Sequence, residues 1–230
     1  LFNWGNALWK LAALREGPDR EALLKEAAEK YAKAVEIKPD KHEPLFNWGA
    51  ALRELADLSE VPDREALLKE AAEKYSRAVE IKPDFHEALF NWGNALWKLA
   101  DLSEGPDREA LLKEAAEKYA RAVEIKPDKH EALFNWGGAL TSLSYLYKGG
   151  QRIEILEAAL DKVKRAEDLK PGAGIYNMAC VYALLGQKKN ALAALEKAIE
   201  SDLRHSEMAA GDEDFRSLWA DKAFRAIIAT

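Results

Sequence analysis

From Asp84 the chain reads DFHEALFNWGNALWKLADLSE, and its apolar residues Leu89, Trp92, Ala95, Leu96 and Leu99 return every three or four positions. That spacing is the helical period, and it predicts a helix with one face turned to a core. A GPDRE corner follows, where proline suits the first turn of a new helix. Leu112, Ala115, Ala116, Tyr119, Ala122 and Val123 then fall on one face of a second helix. The string IKPD ends it, because the residue before a proline avoids the helical region. Each helix is expected to run about 18 to 20 residues, roughly 30 Å. Asp84 with Glu87 three residues later reads as a capping box, and Asp40/Glu43 and Asp128/Glu131 repeat it.

The whole pattern recurs. LFNWG stands at Leu1–Gly5, Leu45–Gly49, Leu89–Gly93 and Leu133–Gly137, and Pro39, Pro83, Pro127 and Pro171 keep the same step of 44 residues. Units 45–88 and 89–132 differ at six positions only: Ala50/Asn94, Arg53/Trp97, Glu54/Lys98, Val61/Gly105, Ser76/Ala120 and Phe85/Lys129. A recent tandem duplication and construction from one unit by engineering both account for this. The array divides into units 1–44, 45–88, 89–132, 133–172 and 173–203, with 204–230 as a connector and C-terminal capping helix. The fourth unit keeps the period without the text, and the fifth is shorter. The connector LRHSEMAAGDED is polar, and the tail DFRSLWADKAFRAII is amphipathic through Phe215, Leu218, Trp219 and Phe224.

Two helices cannot bury both of their apolar faces alone, so such units must stack into a continuous core. Trp4, Trp48, Trp92 and Trp136 are core residues by spacing. Gly5, Gly49, Gly93 and Gly137 fall in mid-helix, where glycine costs about 1 kcal/mol relative to alanine. Close approach of the paired helix would offset that cost.

Composition narrows the function. The net charge of −6 argues against a general nucleic-acid surface. The single Cys180 permits no internal disulfide, which fits a reducing intracellular compartment, cytoplasmic or organellar. The longest apolar stretch, MACVYALLG, is too short to span a bilayer, so no membrane insertion is expected. The chain opens in mid-motif, as a fragment or trimmed chain would. Its first helix lacks the PDxHE start, which leaves Leu1, Trp4, Ala7, Leu8 and Leu11 without a preceding helix. That predicts a homo-oligomer formed through the N-terminal end.

No catalytic constellation emerges. His42, His86 and His130 hold one equivalent position in successive units, so repetition spreads them apart instead of converging them on a metal. His205 has no ligand-spaced partner. Cys180 lies on an apolar helix and reads as a small core residue. KGGQ and PGAG lack the spacing and the following Lys-Ser/Thr of a phosphate loop. The KEAAEK carboxylates read as a solvated helix face. The protein is expected to be no enzyme and to need neither cofactor nor metal.

LFNWGNAL, then Ala115, Tyr119 and Ala122 on the second helix, then Pro127, resembles the tetratricopeptide repeat across about residues 1–203. The long units are similar to those of plant organellar members, the mitochondrial import receptor among them, through the WGNAL stretch. The resemblance implies an all-α fold, an α-solenoid of helix-turn-helix repeats wound as a right-handed superhelix with a C-terminal capping helix. It also implies that the first helices line a concave groove for a protein or peptide ligand. Ala50/Asn94, Arg53/Trp97 and Glu54/Lys98, spaced i, i+3, i+4, share one helix face. The groove set is then Phe2, Asn6, Trp9 and Lys10; Phe46, Arg53, Ala50 and Glu54; Phe90, Asn94, Trp97 and Lys98. Asn6 and Asn94 follow the motif glycine, as do the asparagines that hold peptide carboxylates in chaperone-binding members. Those members carry a lysine where this chain has Phe2 and Phe90. The implied function is a non-enzymatic scaffold that binds a peptide in this groove. The alternative is a structural, self-associating or engineered repeat with no specific ligand.

Overall fold

The computed structural model describes residues 1–229, and among them there are helices and turns but no strand. Two compact units divide the chain, Leu1–Ile125 and Lys126–Thr230. The first holds α1 (Phe2–Ala12), α2 (Gly17–Ile37), α3 (His42–Leu58), α4 (Asp63–Ile81), α5 (His86–Asp101) and α6 (Gly105–Ile125). Each first helix packs on the second helix that follows it, as α1 on α2, α3 on α4 and α5 on α6, and each second helix also packs on the next first helix. This is the tetratricopeptide arrangement, an all-α solenoid class built from stacked helix pairs.

The second unit holds α7 (His130–Ser144), α8 (Gly149–Leu169), α9 (Ile175–Leu184), α10 (Lys188–Ser201), α11 (Arg204–Gly211), a 3₁₀ helix (Glu213–Leu218) and α12 (Lys222–Ile228). The connector is therefore helical as α11. The amphipathic tail breaks in two because aspartates restart the chain. Asp212 accepts from the Asp214 N–H at 3.0 Å, and Asp221 accepts from Ala223 N–H at 2.9 Å and Phe224 N–H at 3.2 Å. Phe215, Leu218 and Phe224 close over Ala191, Leu195 and Ala198 of α10 in one buried cluster, as a terminal cap must.

The mid-helix glycines mark the closest contact in each pair. A Cβ on Gly5, Gly49 or Gly93 would lie 2.7, 2.9 and 2.7 Å from the ring of Tyr31, Tyr75 or Tyr119. All three tyrosines are fully buried. At Gly137 the neighbour is the Val163 side chain. The prolines stop α2, α4 and α6 at Ile37, Ile81 and Ile125, as the pattern predicts.

Two expectations are corrected. The capping boxes do not form: α3, α5 and α7 begin at His42, His86 and His130, and no N-cap side chain bonds to the helix. Lys41, Phe85 and Lys129 occupy the N-cap positions, so Asp40, Asp84 and Asp128 stand one residue too early to reach the free N–H groups. The tryptophans are not fully buried. Trp4 is 54% exposed and Trp48, Trp92 and Trp136 are half-buried. Each carries a lysine ammonium over its ring, Lys30, Lys74, Lys118 and Lys162 at 4.3, 4.4, 4.1 and 4.5 Å. The lysine stem covers the ring while its charge stays near water.

Candidate peptide-binding groove

All ten candidate groove residues fall on the first helices of the first unit, α1, α3 and α5. α1 touches α3, and α3 touches α5, so the three present their equivalent positions side by side. Side chains join them. Trp9 Nε1 donates to Glu54 Oε1 at 2.9 Å, while Arg20 from α2 donates to Glu54 Oε2 at 2.9 Å. Lys98 pairs with Asp57. Asn47 Nδ2 donates to Asn6 Oδ1 at 2.8 Å.

The phenylalanines form the wall more than the surface. Phe2, Phe46 and Phe90 are half-buried against Tyr31, Tyr75 and Tyr119, with ring centroids 6.0, 5.8 and 6.0 Å apart. Phe46 also meets Phe85 at 4.9 Å, and Phe85 meets His42 at 5.0 Å. The asparagine carbonyls are turned inward. Tyr31 donates its hydroxyl to Asn6 Oδ1 at 2.9 Å, and Tyr119 donates to Asn94 Oδ1 at 2.8 Å. Burial holds the Tyr31 hydroxyl up at about 12, with Asn47 opposing, so it stays a proton donor. Trp9, Trp97 and Arg53 occupy one equivalent position on α1, α5 and α3, each partly open to solvent. Lys10 is exposed.

Two clefts of the first unit lie elsewhere, between consecutive second helices. One of about 610 Å³ lies between α2 and α4, with Trp48, Leu52 and Leu55 of α3 in its floor. Its equivalent between α4 and α6 measures about 530 Å³ over Trp92, Leu96 and Leu99. The sequence assigns these residues to the core, and periodicity carries no signal for the gap left between longer helices.

The remaining chemistry-bearing group is in the second unit. Cys180, Asp212 and Asp214 bring their donor atoms within 4.8 Å of one another. Internal bonds occupy them. Tyr176 donates to Asp212 Oδ2 at 2.9 Å, the Cys180 thiol points to the same oxygen at 3.6 Å, and Tyr145 donates to Asp214. Burial and then the Asp212 charge push the Cys180 thiol well above its ordinary range, so it is a poor thiolate for metal or nucleophilic work. The first-turn histidines lie beside their neighbours, His42 3.5 Å from Glu43 and His86 and His130 3.3 Å from Glu87 and Glu131.

The family model described as "Plant specific mitochondrial import receptor subunit TOM20" matches residues 43–104 and 87–186. Together these matches span more than half of the chain. The chain belongs to this plant TOM20 family. No curated protein matches it in sequence. Solved structures agree on the fold. MamA superposes with a TM-score of 0.63 at 17% identity, over 81% of this chain and 92% of its own. YrrB, described as a TPR protein with an unusual peptide-binding site, gives 0.60 at 19% identity over 87% and 88%. TTC0263, a thermophilic TPR protein of Thermus thermophilus, gives 0.60 at 18% identity over 98% and 100%. The TOM20-family pairs α3–α4 and α5–α6 thus carry most of the candidate groove. No helix among the described residues is long and apolar enough to cross a membrane.

Proposed function

We propose that the protein is a non-enzymatic binding module that holds a segment of a partner protein against the first-helix face of α1, α3 and α5. Membership of an import-receptor family supports a mitochondrial setting and partners among imported proteins. The peptide-binding site described for YrrB supports the use of this fold for peptides. The observation that carries the reading is the row Trp9, Arg53, Trp97. Two aromatics and an arginine, partly open to solvent, hold one equivalent position on adjacent helices. Aromatics and arginines are the side chains that dominate interface energy, often by ~2 kcal/mol or more each. Lys10, Arg53 and Lys98 steer an acidic segment, and Phe46 and Phe90 extend the apolar wall.

The test is calorimetry with short overlapping peptides from mitochondrially imported proteins. Trp97→Ala and Arg53→Ala are expected to weaken binding about tenfold or more while leaving helicity and melting nearly unchanged. Lys113→Ala on the outer helix α6 should bind as the parent does. Wild-type affinity in Trp97→Ala with loss in Lys113→Ala would move the binding surface to the outer face.

A further inference from the structure

The corner between the two helices of a repeat is acidic in three units and reverses its charge in the fourth. At the step of 44 residues, Glu16, Glu60 and Glu104 give way to Lys148. Asp19, Asp63 and Asp107 give way to Gln151, and Glu21, Glu65 and Glu109 to Ile153. Asp57 and Asp101 give way to Tyr145. Residues 101–110 therefore hold four carboxylates and one arginine, whereas residues 145–154 hold Lys148, Arg152 and a single carboxylate, Glu154. The arginine alone is kept throughout, as Arg20, Arg64, Arg108 and Arg152.

In the first three units this arginine is tied down. Arg20 donates to Glu54 at 2.9 Å, and Arg64 Nε donates to the carbonyls of Ala56 and Ser59 at 3.1 and 3.0 Å. Arg108 donates to the Ala100 carbonyl at 3.1 Å and pairs with Asp101 at 3.5 Å. Arg152 has lost that carboxylate, because Tyr145 stands at the position of Asp101. Its guanidinium lies over the Tyr145 ring, 5.5 Å from the centroid, and its Nε has no acceptor among the described residues. A guanidinium carries five donors and no acceptor, so this one is open to a carboxylate from outside.

The same substitutions open apolar surface. Tyr145 and Ile153 are 50% and 51% exposed, and Leu146 is 39% exposed. A cavity of about 560 Å³ adjoins them, lined by Tyr145, Arg152, Leu184 and Ser217. Its two carboxylates are committed within the chain, Asp214 to the Tyr145 hydroxyl and Glu213 to Arg216 at 3.4 Å. Exposed apolar side chains beside an aromatic ring and an arginine have the composition of an interface. We propose that the corner between α7 and α8 is a docking surface for an acidic segment of a partner protein, whose carboxylates meet Lys148 and Arg152 and whose apolar side chain enters the cavity beside Tyr145. Charge selects this partner, since Lys148 and Arg152 would repel a basic segment. The surface lies in the second compact unit and does not depend on the first-helix face of α1, α3 and α5.

The probe is a fluorescent peptide of glutamates around a single phenylalanine, capped at both ends and followed by anisotropy with the whole chain. Lys148→Glu combined with Ile153→Glu restores the residues of the other three units, so this variant should melt as the parent does. Its affinity for the probe should fall about tenfold or more, because a charge contact and an apolar contact are lost together. Glutamine in place of the glutamates, or alanine in place of the phenylalanine, should weaken the peptide to a similar extent. Added salt should weaken the glutamate peptide through screening. Trp97→Ala, on the first-helix face, should not weaken this probe. Unchanged affinity in the double variant would overturn the surface, and so would a probe that does not bind at all. Equal binding of the glutamate and glutamine peptides would overturn the acidic partner. Loss in Trp97→Ala with retention in the double variant would overturn the corner and leave the first-helix face standing. A dimer that the double variant abolishes, with no peptide bound, would assign the corner to a second copy of the chain and overturn the proposal.

Discussion

Gly93 shows how one residue sets the spacing of a helix pair. Its missing side chain admits the Tyr119 ring, and an added Cβ would fall 2.7 Å from it. Gly93→Leu is expected to lower stability by about 1–3 kcal/mol or more, since an overpacked core must shift. Glu104→Ala, in an exposed turn, should stay within about 0.5 kcal/mol. Chemical denaturation of both variants checks this, and equal midpoints would remove the glycine from the packed interface. Asp214 is a second residue-scale case. Burial raises its carboxyl from 3.8 to about 6. A raised folded value means that its contribution to stability is complete below the unfolded value and is lost as pH rises through about 6. Asp214→Asn should therefore stabilise the protein by about 1 kcal/mol near pH ~7.5, allowing for partial solvent screening. The gain should shrink towards pH ~5, below the folded value. Melting of variant and parent at both pH values measures it, and a gain independent of pH would rule out the carboxylate as its source.

At the scale of elements, the first helices are the shorter partners and the second helices the longer ones. α3, α5 and α7 run 17, 16 and 15 residues, against 21, 19 and 21 for α2, α4 and α6. The repeat pattern predicts about 18 to 20 residues for both helices of a unit, so the second helices reach the expected length and the first helices fall short of it. Helix termini were less legible. A capping box needs its aspartate at the N-cap, and a shift of one residue moved Asp84 out of reach while leaving the helix in place. The C-terminal α12, of seven residues, depends on its cap more than long helices do. Asp221 bonds the first N–H groups of α12 and pairs with Lys188 of α10. Asp221→Ala is expected to cost about 1 kcal/mol and to speed amide exchange in α12 before any other helix. Uniform exchange across the second unit would mean that the cap and α10 open together.

For the molecule as a whole, the step of 44 residues is the unit of change. Trp48 packs on Ala27, Ala28 and Tyr31, and Trp92 packs on Ala71, Ala72 and Tyr75, so the first unit presents one interface twice. Removing residues 45–88 joins α2 to α5 through the same contacts. The shortened chain should keep its helicity per residue and unfold cooperatively at a lower midpoint, because stability in such arrays is close to a sum over units and interfaces. Removing half of that segment should abolish cooperative unfolding, because the register of faces is lost. Circular dichroism during denaturation distinguishes the two deletions.

The sequence by itself determined the helix pairs of the repeats, their order, the proline stops and the glycine contacts, while the connector helix α11 and the break in the tail came from the structure. The former depend on periodicity and on backbone preferences within a few residues, and a near-identical repeat states them several times over. It also placed Phe2, Asn6, Trp9, Lys10, Phe46, Arg53, Phe90, Asn94, Trp97 and Lys98 on three helices that the fold sets side by side. Only the tertiary structure decided which way those side chains spend their bonds. The carbonyls of Asn6 and Asn94 turn in to the tyrosines, and Trp9 and Lys98 turn sideways to Glu54 and Asp57. The physical reason is that a hydrogen bond is settled by distance and direction between residues 25 to 45 positions apart in the chain. A helical period fixes the face on which a residue stands, and the donor or acceptor opposite it is fixed by how the helices meet.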